Sequence, residues 1–423
     1  MNAGKCVDKK MSDETKPIFN ALNDPIPPIR WNLELIPLQH NGQEVLYIHD
    51  NLNYIPHNFS LDASVQPLLS LINGQKSILQ VSKIFGENLK TEELLSFIQL
   101  LDENLLLHSP YFKEKSELIE SNFEESSVRM PALAGQSYPE NPDDFKTYVE
   151  SLIDINEPAK TTNSKPLKAL YAPHIDLRVG RSEYAEAFSS IIECTPKRVV
   201  ILATAHYTGY YPSLYDNQPF IGSDKEFKLP GKTFKSDTNF IQQLANSDKH
   251  TGFTLSDRAH RVEHSIELHL LYLSAIWHHN FNIVPILISG FDELFYHNKG
   301  RLSTQVQNFT KLLRSLDTDD TFYLISGDLS HVGKKFGDKV PALKMREDVE
   351  EFDRKFIELS ENGNSDKLLQ HISNQYDATR VCGFPPLYTF KNVFPNRSGE
   401  SLNYHWWDET ERESAVSFGS ILF

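Results

Sequence analysis

The chain has 423 residues, and this length predicts about two or three domains. Its formal net charge is −15, which repels phosphate backbones and anionic lipid, so a general nucleic-acid or membrane-surface role is disfavoured. Cys6, Cys194 and Cys382 are too widely spaced for a disulfide framework. The N-terminus lacks an apolar run of signal-peptide length, and no stretch approaches the ~20 apolar residues of a membrane span. The sequence therefore predicts a cytoplasmic protein.

The N-terminal part of the sequence predicts a tail followed by a small domain. Residues 1–27 are polar and predict a disordered tail, in which Cys6 is a spare thiol. Residues 28–112 begin with two runs, WNLELIPL and EVLYIHD, that predict strands around a turn signal at Asn41-Gly42. Three helical stretches follow, the third with an apolar stripe from Leu94 to Leu105. A return strand over residues 105–111 would complete an α+β winged helix.

The charge of this domain is not that of a DNA-binding winged helix. Residues 28–115 hold six basic and ten acidic residues, a net charge of −4, whereas DNA affinity requires a basic surface. The leucine pattern resembles that of the small winged-helix domains similar to PqqD. These domains often bind a peptide or protein partner through a strand edge and a helix. A packing or dimerisation module is the alternative, with equal weight.

The remaining sequence predicts a linker and a large second domain. Residues 113–128 are charged and serine-rich, and we interpret them as a linker with a helical start. From residue 129 to residue 423, short apolar runs alternate with amphipathic stretches. This alternation predicts α/β architecture with a largely parallel sheet.

Three apolar runs of this second domain end in polar side chains. KALYA is followed by His174, RVVILAT by His206, and TFYLIS by Asp328 and His331. Because ligands bind outside the carboxyl ends of parallel strands, we expect these side chains to share one site. One such histidine alone would be a structural residue, but three at equivalent positions predict a site, with a metal ion as its occupant. A fourth run, NIVPILISG, predicts a core strand without a ligand.

Further candidates precede the predicted helix LLYLSAIW. Glu263 and Glu267 are four residues apart and would share a helix face with His264. His264-Ser-Ile-Glu267 would begin the zinc-protease pattern His-x-x-Glu-His, but Leu268 takes its last place, and the pattern His-Glu-x-x-His is absent from this segment. We interpret these side chains as groups behind the ligands or facing a substrate, and a solvated helix face is the alternative for Glu267.

The cysteines differ in their surroundings. Cys382 lies between Arg380, which would favour a thiolate if both faced one crevice, and Gly383, which permits close backbone approach. Cys194 lies in an amphipathic run and is interpreted as a small buried hydrophobe.

Seven segments resemble successive motifs of the Memo family (mediator of ErbB2-driven cell motility), whose bacterial members are called AmmeMemoRadiSam system protein B. The segments are 134–139, 172–174, 205–206, 263–269, 326–333, 381–383 and 414–419. The resemblance covers residues 129–423 and implies a fold similar to class III extradiol dioxygenases, with a mixed, largely parallel sheet flanked by helices. It also implies a metal site of two histidines and one cysteine, here His174, His206 and Cys382, with Asp328 and His331 beside them. Iron and copper are both discussed for the family.

The chain departs from the family pattern in three places. Family members commonly have Gly-Tyr shortly after the first histidine, where this chain has Asp176 and Arg178, which add charge to the crevice. Leu133 replaces the usual histidine of the N-terminal signature, and residues 28–112 are an addition to the family core. These departures leave the substrate open.

Three functional hypotheses follow from this pattern. Two imidazoles and a thiolate are similar to the facial triad of non-haem iron(II) oxygenases. The first hypothesis is therefore an iron-dependent oxidoreductase related to class III extradiol dioxygenases. Its predicted catalytic residues are His331, fixed by Asp328, and His264, and its predicted substrate-binding residues are Asp176, Arg178 and Glu263. The second is a non-enzymatic copper- or iron-binding redox or partner-recruiting protein, and zinc also suits a thiolate. The third, metal-free hydrolysis at a Cys–His pair, leaves two histidines without a role.

Overall fold

A computed structural model describes residues 16–55, 59–153, 166–247, 250–297 and 299–423. The chain divides into two compact units, Met1–Glu125 and Ser126–Phe423, each with apolar cores of its own. Cys6 lies outside the described residues. No helix in the described ranges is long and apolar enough to cross a membrane.

The described residues of the first unit form a small sheet and four helices. The elements are β1 Leu33–His40, β2 Gln43–Asp50, β3 Ser60–Asp62, α1 Gln66–Leu69, α2 Ile78–Phe85, α3 Thr91–Glu103 and α4 Pro110–Glu125. Asn41 and Gly42 have φ angles of 50° and 78°, which suit the tight turn of the predicted β1–β2 hairpin. Leu94, Ile98 and Leu101 are fully buried, so the predicted apolar stripe of α3 forms the core of this unit.

Three details differ from the predictions for this part of the chain. Residues 16–27 are not a tail, because Ile26 is fully buried and the Phe19 amide donates to Asp102. Residues 113–125 are not a linker, because they continue α4, which buries Phe112 and Glu120. Leu107 makes only an isolated bridge with Ile29 where a return strand was expected, and the winged-helix assignment stays a prediction.

The second unit is a mixed α/β structure. Its strands are β4 Val128–Arg129, β5 Ala169–Ala172, β6 Arg198–Thr204, β7 Phe220–Gly222, β8 Glu226–Leu229, β9 Lys232–Phe234, β10 Phe253–Thr254, β11 Asn282–Ile288, β12 Thr321–Ser326, β13 His331–Gly333, β14 Glu400–Glu409 and β15 Ser414–Leu422. Its helices are α5 Pro142–Glu150, α6 Leu177–Ser189, α7 Pro212–Tyr215, α8 Thr238–Ala245, α9 Glu267–Ile276, α10 Glu293–Tyr296, α11 Arg301–Leu316, α12 Arg346–Glu361, α13 Ser365–Ser373 and α14 Phe384–Val393.

Nine strands of the described ranges form one sheet in the order β10-β7-β11-β6-β12-β5-β15-β13, with β14 on β15. The central strands β11, β6, β12 and β5 are parallel, whereas β15 joins β5, β13 and β14 in antiparallel pairs. Strands β4, β8 and β9 form a separate small sheet. The expectation of a mixed, largely parallel sheet is confirmed.

Apolar cores cover both faces of the central strands. Val199 and Ile201 of β6 pack into one core, and Val200 and Leu202 pack into the other. Since every residue from Val199 to Thr204 is buried, the strand is a continuous apolar run, which is typical of a parallel sheet between helix layers. The interior positions of this strand are therefore closed to solvent on both faces.

Candidate metal centre

The three predicted strand ends meet at one edge of the sheet. In the register, Ser326 of β12 pairs with both Ala172 of β5 and Ala203 of β6. His174, His206 and Asp328 each follow the last residue of their strand by two positions. These three side chains therefore emerge side by side, as the sequence predicts.

His174, His206 and Cys382 form a group of three metal-ligand atoms, all within 4.8 Å of one another. The Nε2 atom of His174 lies 3.3 Å from the Cys382 Sγ atom. Metal–nitrogen and metal–sulfur bonds of about 2.0–2.3 Å put neighbouring ligand atoms roughly 3.3–3.8 Å apart in a tetrahedral centre. The donor set therefore fits a single metal ion with small side-chain adjustments.

Hydrogen bonds orient the His174 ring toward this point. Its Nδ1 atom lies 3.2 Å from the Ser326 Oγ atom, and the Ser326 hydroxyl donates to the Ser265 carbonyl at 2.7 Å. Because the Ser326 hydroxyl hydrogen is already donated to the Ser265 carbonyl, Oγ can only accept from His174 Nδ1–H. The neutral ring then carries no hydrogen on Nε2. Burial and the neighbouring histidines hold the pKa of His174 well below its usual value, so this ring is a neutral ligand.

Glu263 orients the His206 ring. Its carboxylate lies 2.9 Å from His206 Nδ1 and accepts the His206 backbone N–H at 2.8 Å. A carboxylate on Nδ1 leaves Nε2 free, which is the usual arrangement of metal-binding histidines. Burial opposes the charged form of His206, but Glu263 outweighs it and raises the pKa of His206. Burial likewise disfavours the Glu263 anion, yet His206 brings its pKa down to about 2.

The thiol of Cys382 is suited to a cation rather than to free reactivity. Burial, and then the nearby Asp328, raise the pKa of Cys382 well above its usual value. The Asp328 amide lies 3.2 Å from Sγ and donates to it. Arg380, predicted to favour the thiolate, instead pairs with Asp338 at 2.8 Å. A bound metal ion would supply the positive charge that this sulfur lacks.

Asp328 and His331 both lie beside the sulfur, but they do not pair as predicted. They form a second group of potential ligands with Cys382. The Asp328 carboxylate accepts the His174 and Ile175 amides at 2.9 and 3.2 Å, and burial raises the pKa of Asp328 to about 7. His331 Nδ1 instead faces the Arg380 carbonyl at 3.0 Å. The prediction that Asp328 fixes His331 is wrong, because backbone carbonyls perform that role.

His264 adds a third imidazole to the exposed side of the site. Its ring stacks on His206 with centroids 4.7 Å apart, and its side chain is 26% exposed. Burial and His206 lower the pKa of His264 to about 4. This position agrees with the predicted place of His264 in the site.

The predicted substrate-binding residues differ in their surroundings. The Glu263 side chain is 2% exposed and is used by His206 and by the His264 and Ser265 amides. Glu263 therefore has the first of its two predicted roles, that of a group behind the ligands, and its contact with a substrate stays a prediction. Asp176 caps α6 and pairs with Arg178, whose side chain is 81% exposed. Their role in substrate binding stays a prediction.

The sequence reasoning missed Arg129, which organises the segment bearing Glu263 and His264. Its buried guanidinium donates to the His260 and Glu263 carbonyls and pairs with the Glu267 carboxylate. Glu267 is fully buried and begins α9, so the solvated-face alternative and the shared helix with Glu263 are both wrong. The signal available in the sequence was an arginine directly before the apolar stretch that leads into the N-terminal family motif.

With this geometry in place, similarity to known proteins decides the family. A sequence profile described as "Memo-like protein" matches residues 129–422, more than half of the chain. The chain belongs to the Memo family. A MEMO1 family protein of Aquifex aeolicus is 28% identical over 367 residues, covering 84% of this chain and 90% of its own length.

Other Memo relatives come from distant organisms. A Thermus thermophilus MEMO1 family protein is 23% identical over 347 residues, covering 81% of this chain and 96% of its own. One from Pyrococcus abyssi is 26% identical over 307 residues, covering 70% and 99%. The Aquifex aeolicus match covers 84% of this chain, which is a larger share than residues 129–422 alone. That match therefore extends into the first unit of this Memo chain.

Proposed function

We propose that this Memo chain is an iron(II)-dependent oxidoreductase whose ion is held by His174, His206 and Cys382. The observation that carries the proposal is that two imidazoles, each with Nδ1 bonded elsewhere, and one sulfur place their ligand atoms within 4.8 Å of one another. Two nitrogens and one anionic ligand leave coordination positions for further groups. When bound, iron(II) would supply these positions to dioxygen and to a hydroxylated substrate.

In this proposal the chain's own residues bind the substrate and move its proton. With His331 Nδ1 facing carbonyl oxygens, its Nε2 atom accepts a substrate hydroxyl proton and later returns it. Burial lowers the pKa of His331 to about 4, so the ring is neutral at pH 7. The proposal assigns contact with the substrate to His264, Asp176 and Arg178. A relation to catechol-cleaving extradiol dioxygenases is part of the proposal.

A second candidate is a non-enzymatic copper- or zinc-binding protein. The observation that favours it is the cysteine ligand, because thiolate is softer than carboxylate and suits Cu(I) and Zn(II). Metal-free hydrolysis is disfavoured by the Cys382–His174 pair itself. Burial raises the pKa of Cys382 and lowers that of His174, so the two groups form a neutral pair rather than a thiolate and an imidazolium.

The test is metal analysis of anaerobically purified protein with two cysteine variants. Cys382→Ser should lose the iron, whereas Cys194→Ser, the matched control outside the site, should keep it. Oxygen uptake with catechol should require iron and stop in Cys382→Ser. Retention of Cu(I) or Zn(II) without oxygen uptake would favour the second candidate. Hydrolytic activity that survives a chelator would overturn both.

We also propose that the first unit binds an extended peptide of a protein partner along β1. This strand lies at an edge of its three-stranded sheet, and its Leu35 and Leu38 side chains are 38% and 48% exposed. An edge strand with exposed apolar side chains is a template for strand addition. Charged substitutions at both leucines should abolish recovery of the partner from extracts of the native cell. Equal recovery of the partner by the native and the substituted chain would contradict the proposal.

A further inference from the structure

Three non-glycine residues shortly before Cys382 have left-handed backbone conformations. The φ angles are 51° at Tyr376, 51° at Asp377 and 56° at Arg380. A side chain with a β-carbon rarely adopts this conformation, so it persists only when its surroundings fix it. Asp377 supplies part of that fixation, since its carbonyl accepts the Arg380 amide at 2.9 Å and its carboxylate accepts the Val381 amide at 2.8 Å.

The left-handed turn at Arg380 brings two of its groups onto His331. The Arg380 carbonyl lies 3.0 Å from His331 Nδ1, and the guanidinium Nη1 donates to the His331 carbonyl at 3.1 Å. The His331 amide in turn donates to the Thr379 carbonyl at 2.7 Å. One short segment therefore contacts both the ring and the backbone of His331, and the Leu329 carbonyl, 3.2 Å from Nδ1, is a second acceptor that faces the ring.

Asp338 fixes the guanidinium from the other side. Its two carboxylate oxygens accept from Arg380 at 2.8 and 3.1 Å, a bidentate arrangement that sets the plane of the guanidinium. Asp338 also accepts the Gly333 amide at 2.8 Å. Since β13 runs from His331 to Gly333, the pair Arg380–Asp338 holds both ends of this strand.

We infer that Arg380 and Asp338 are positioning residues that fix His331 in its Nδ1–H tautomer and turn Nε2 toward the metal site. A carbonyl oxygen can only accept, so the Nδ1 atom facing the Arg380 carbonyl must carry the hydrogen. A neutral histidine free in water prefers the opposite tautomer, so the protein has to impose this one. The same segment carries Cys382, which couples the position of the proton acceptor to that of the sulfur ligand. The use of Nε2 as proton acceptor rests on the proposed function.

The test is ¹⁵N NMR of the histidine rings in the metal-free full chain at pH 7. The native chain should show His331 as the Nδ1–H tautomer. Arg380→Gly keeps the left-handed turn without strain but removes the guanidinium, and Asp338→Asn leaves Arg380 in place but loses its anionic partner. In both variants the His331 signals should shift toward the Nε2–H tautomer. Lys334→Ala, which breaks only the exposed pair with Glu413, is the matched control and should keep the native tautomer.

Zinc(II) binding, measured in parallel, separates this inference from the proposed function. Both variants should still bind zinc(II) through the three ligands, which shows that the ligand set is intact. A native Nε2–H tautomer, or an unchanged tautomer in both variants, would overturn the inference. Failure of the native chain to bind any metal would overturn the proposed function alone, because the tautomer is measured without metal.

Discussion

Gly327 and Gly383 are in direct backbone contact, and a β-carbon on Gly327 would lie 2.1 Å from the Gly383 Cα atom. Gly383 is equally crowded, since its own β-carbon would lie 2.2 Å from the Tyr171 hydroxyl. This contact joins the turn after β12 to the segment that bears Cys382. It therefore allows the sulfur to approach Asp328 and His174.

Gly327→Ala should push the Cys382 segment away from the histidines. Overpacking of this kind costs about 1–3 kcal/mol, and if the strain is relieved by moving the sulfur, metal affinity should fall about tenfold or more. Metal titration of the folded chain measures the effect. Gly209→Ala is the matched control, because nothing lies within 4 Å of the β-carbon position there. Equal affinities in the two variants would show that the glycine contact does not set the site.

Glu263→Gln should weaken metal binding through His206. The Glu263 carboxylate accepts from His206 Nδ1 and from three backbone amides, and an amide nitrogen in place of one oxygen would face a donor. Loss of such a ring-orienting partner lowers metal affinity about 10–100-fold. Competition against a chelator measures this, with the exposed Glu186→Gln as control. Native affinity in Glu263→Gln would mean that His206 is oriented by other contacts.

His269 should make the chain less stable in acid. Its Nε2 atom donates to the Pro173 carbonyl at 2.9 Å, and burial lowers its pKa from 6.5 to about 4. Between these values the unfolded chain binds a proton that the folded chain does not, so the free energy of unfolding falls as pH drops from 6.5 to 4. The slope is about 1.4 kcal/mol per pH unit for one group. Denaturant unfolding at pH 7, 6 and 5 should show a shallower decline in His269→Gln, and parallel curves would refute the assignment.

Arg129→Met should destabilise the second unit far more than Arg178→Met. Arg129 and Glu267 form a fully buried pair, and removing one partner of such a pair costs about 3–5 kcal/mol. Arg178 is 81% exposed in its pair with Asp176, and such surface pairs contribute less than about 1 kcal/mol. Denaturant unfolding of both variants tests the contrast. Similar losses in the two variants would argue against a central role for the buried pair.

The strand ends could be predicted because their signal is local. Each of β5, β6 and β12 is a short apolar run followed by a polar side chain, and parallel strands bring such ends together. The helix through Glu125 was harder to predict, since its charged, serine-rich sequence is also typical of a linker. The mixed character of the sheet came from the family resemblance rather than from apolar periodicity.

The groups that orient the ligands could not be predicted from spacing. Ser326 bonds His174 from 152 positions away in the sequence, and the Arg380 carbonyl bonds His331 from 49 positions away. A backbone carbonyl has no side-chain identity that a sequence could reveal. Sequence reasoning therefore finds the ligands more readily than the contacts that hold them.

The two histidine ligands differ in exposure, with 3% for the His174 side chain and 29% for that of His206. An ion bound between them would be open to solvent on the His206 side and closed by protein on the His174 side. Every reagent that reaches the ion must then arrive through the same hemisphere.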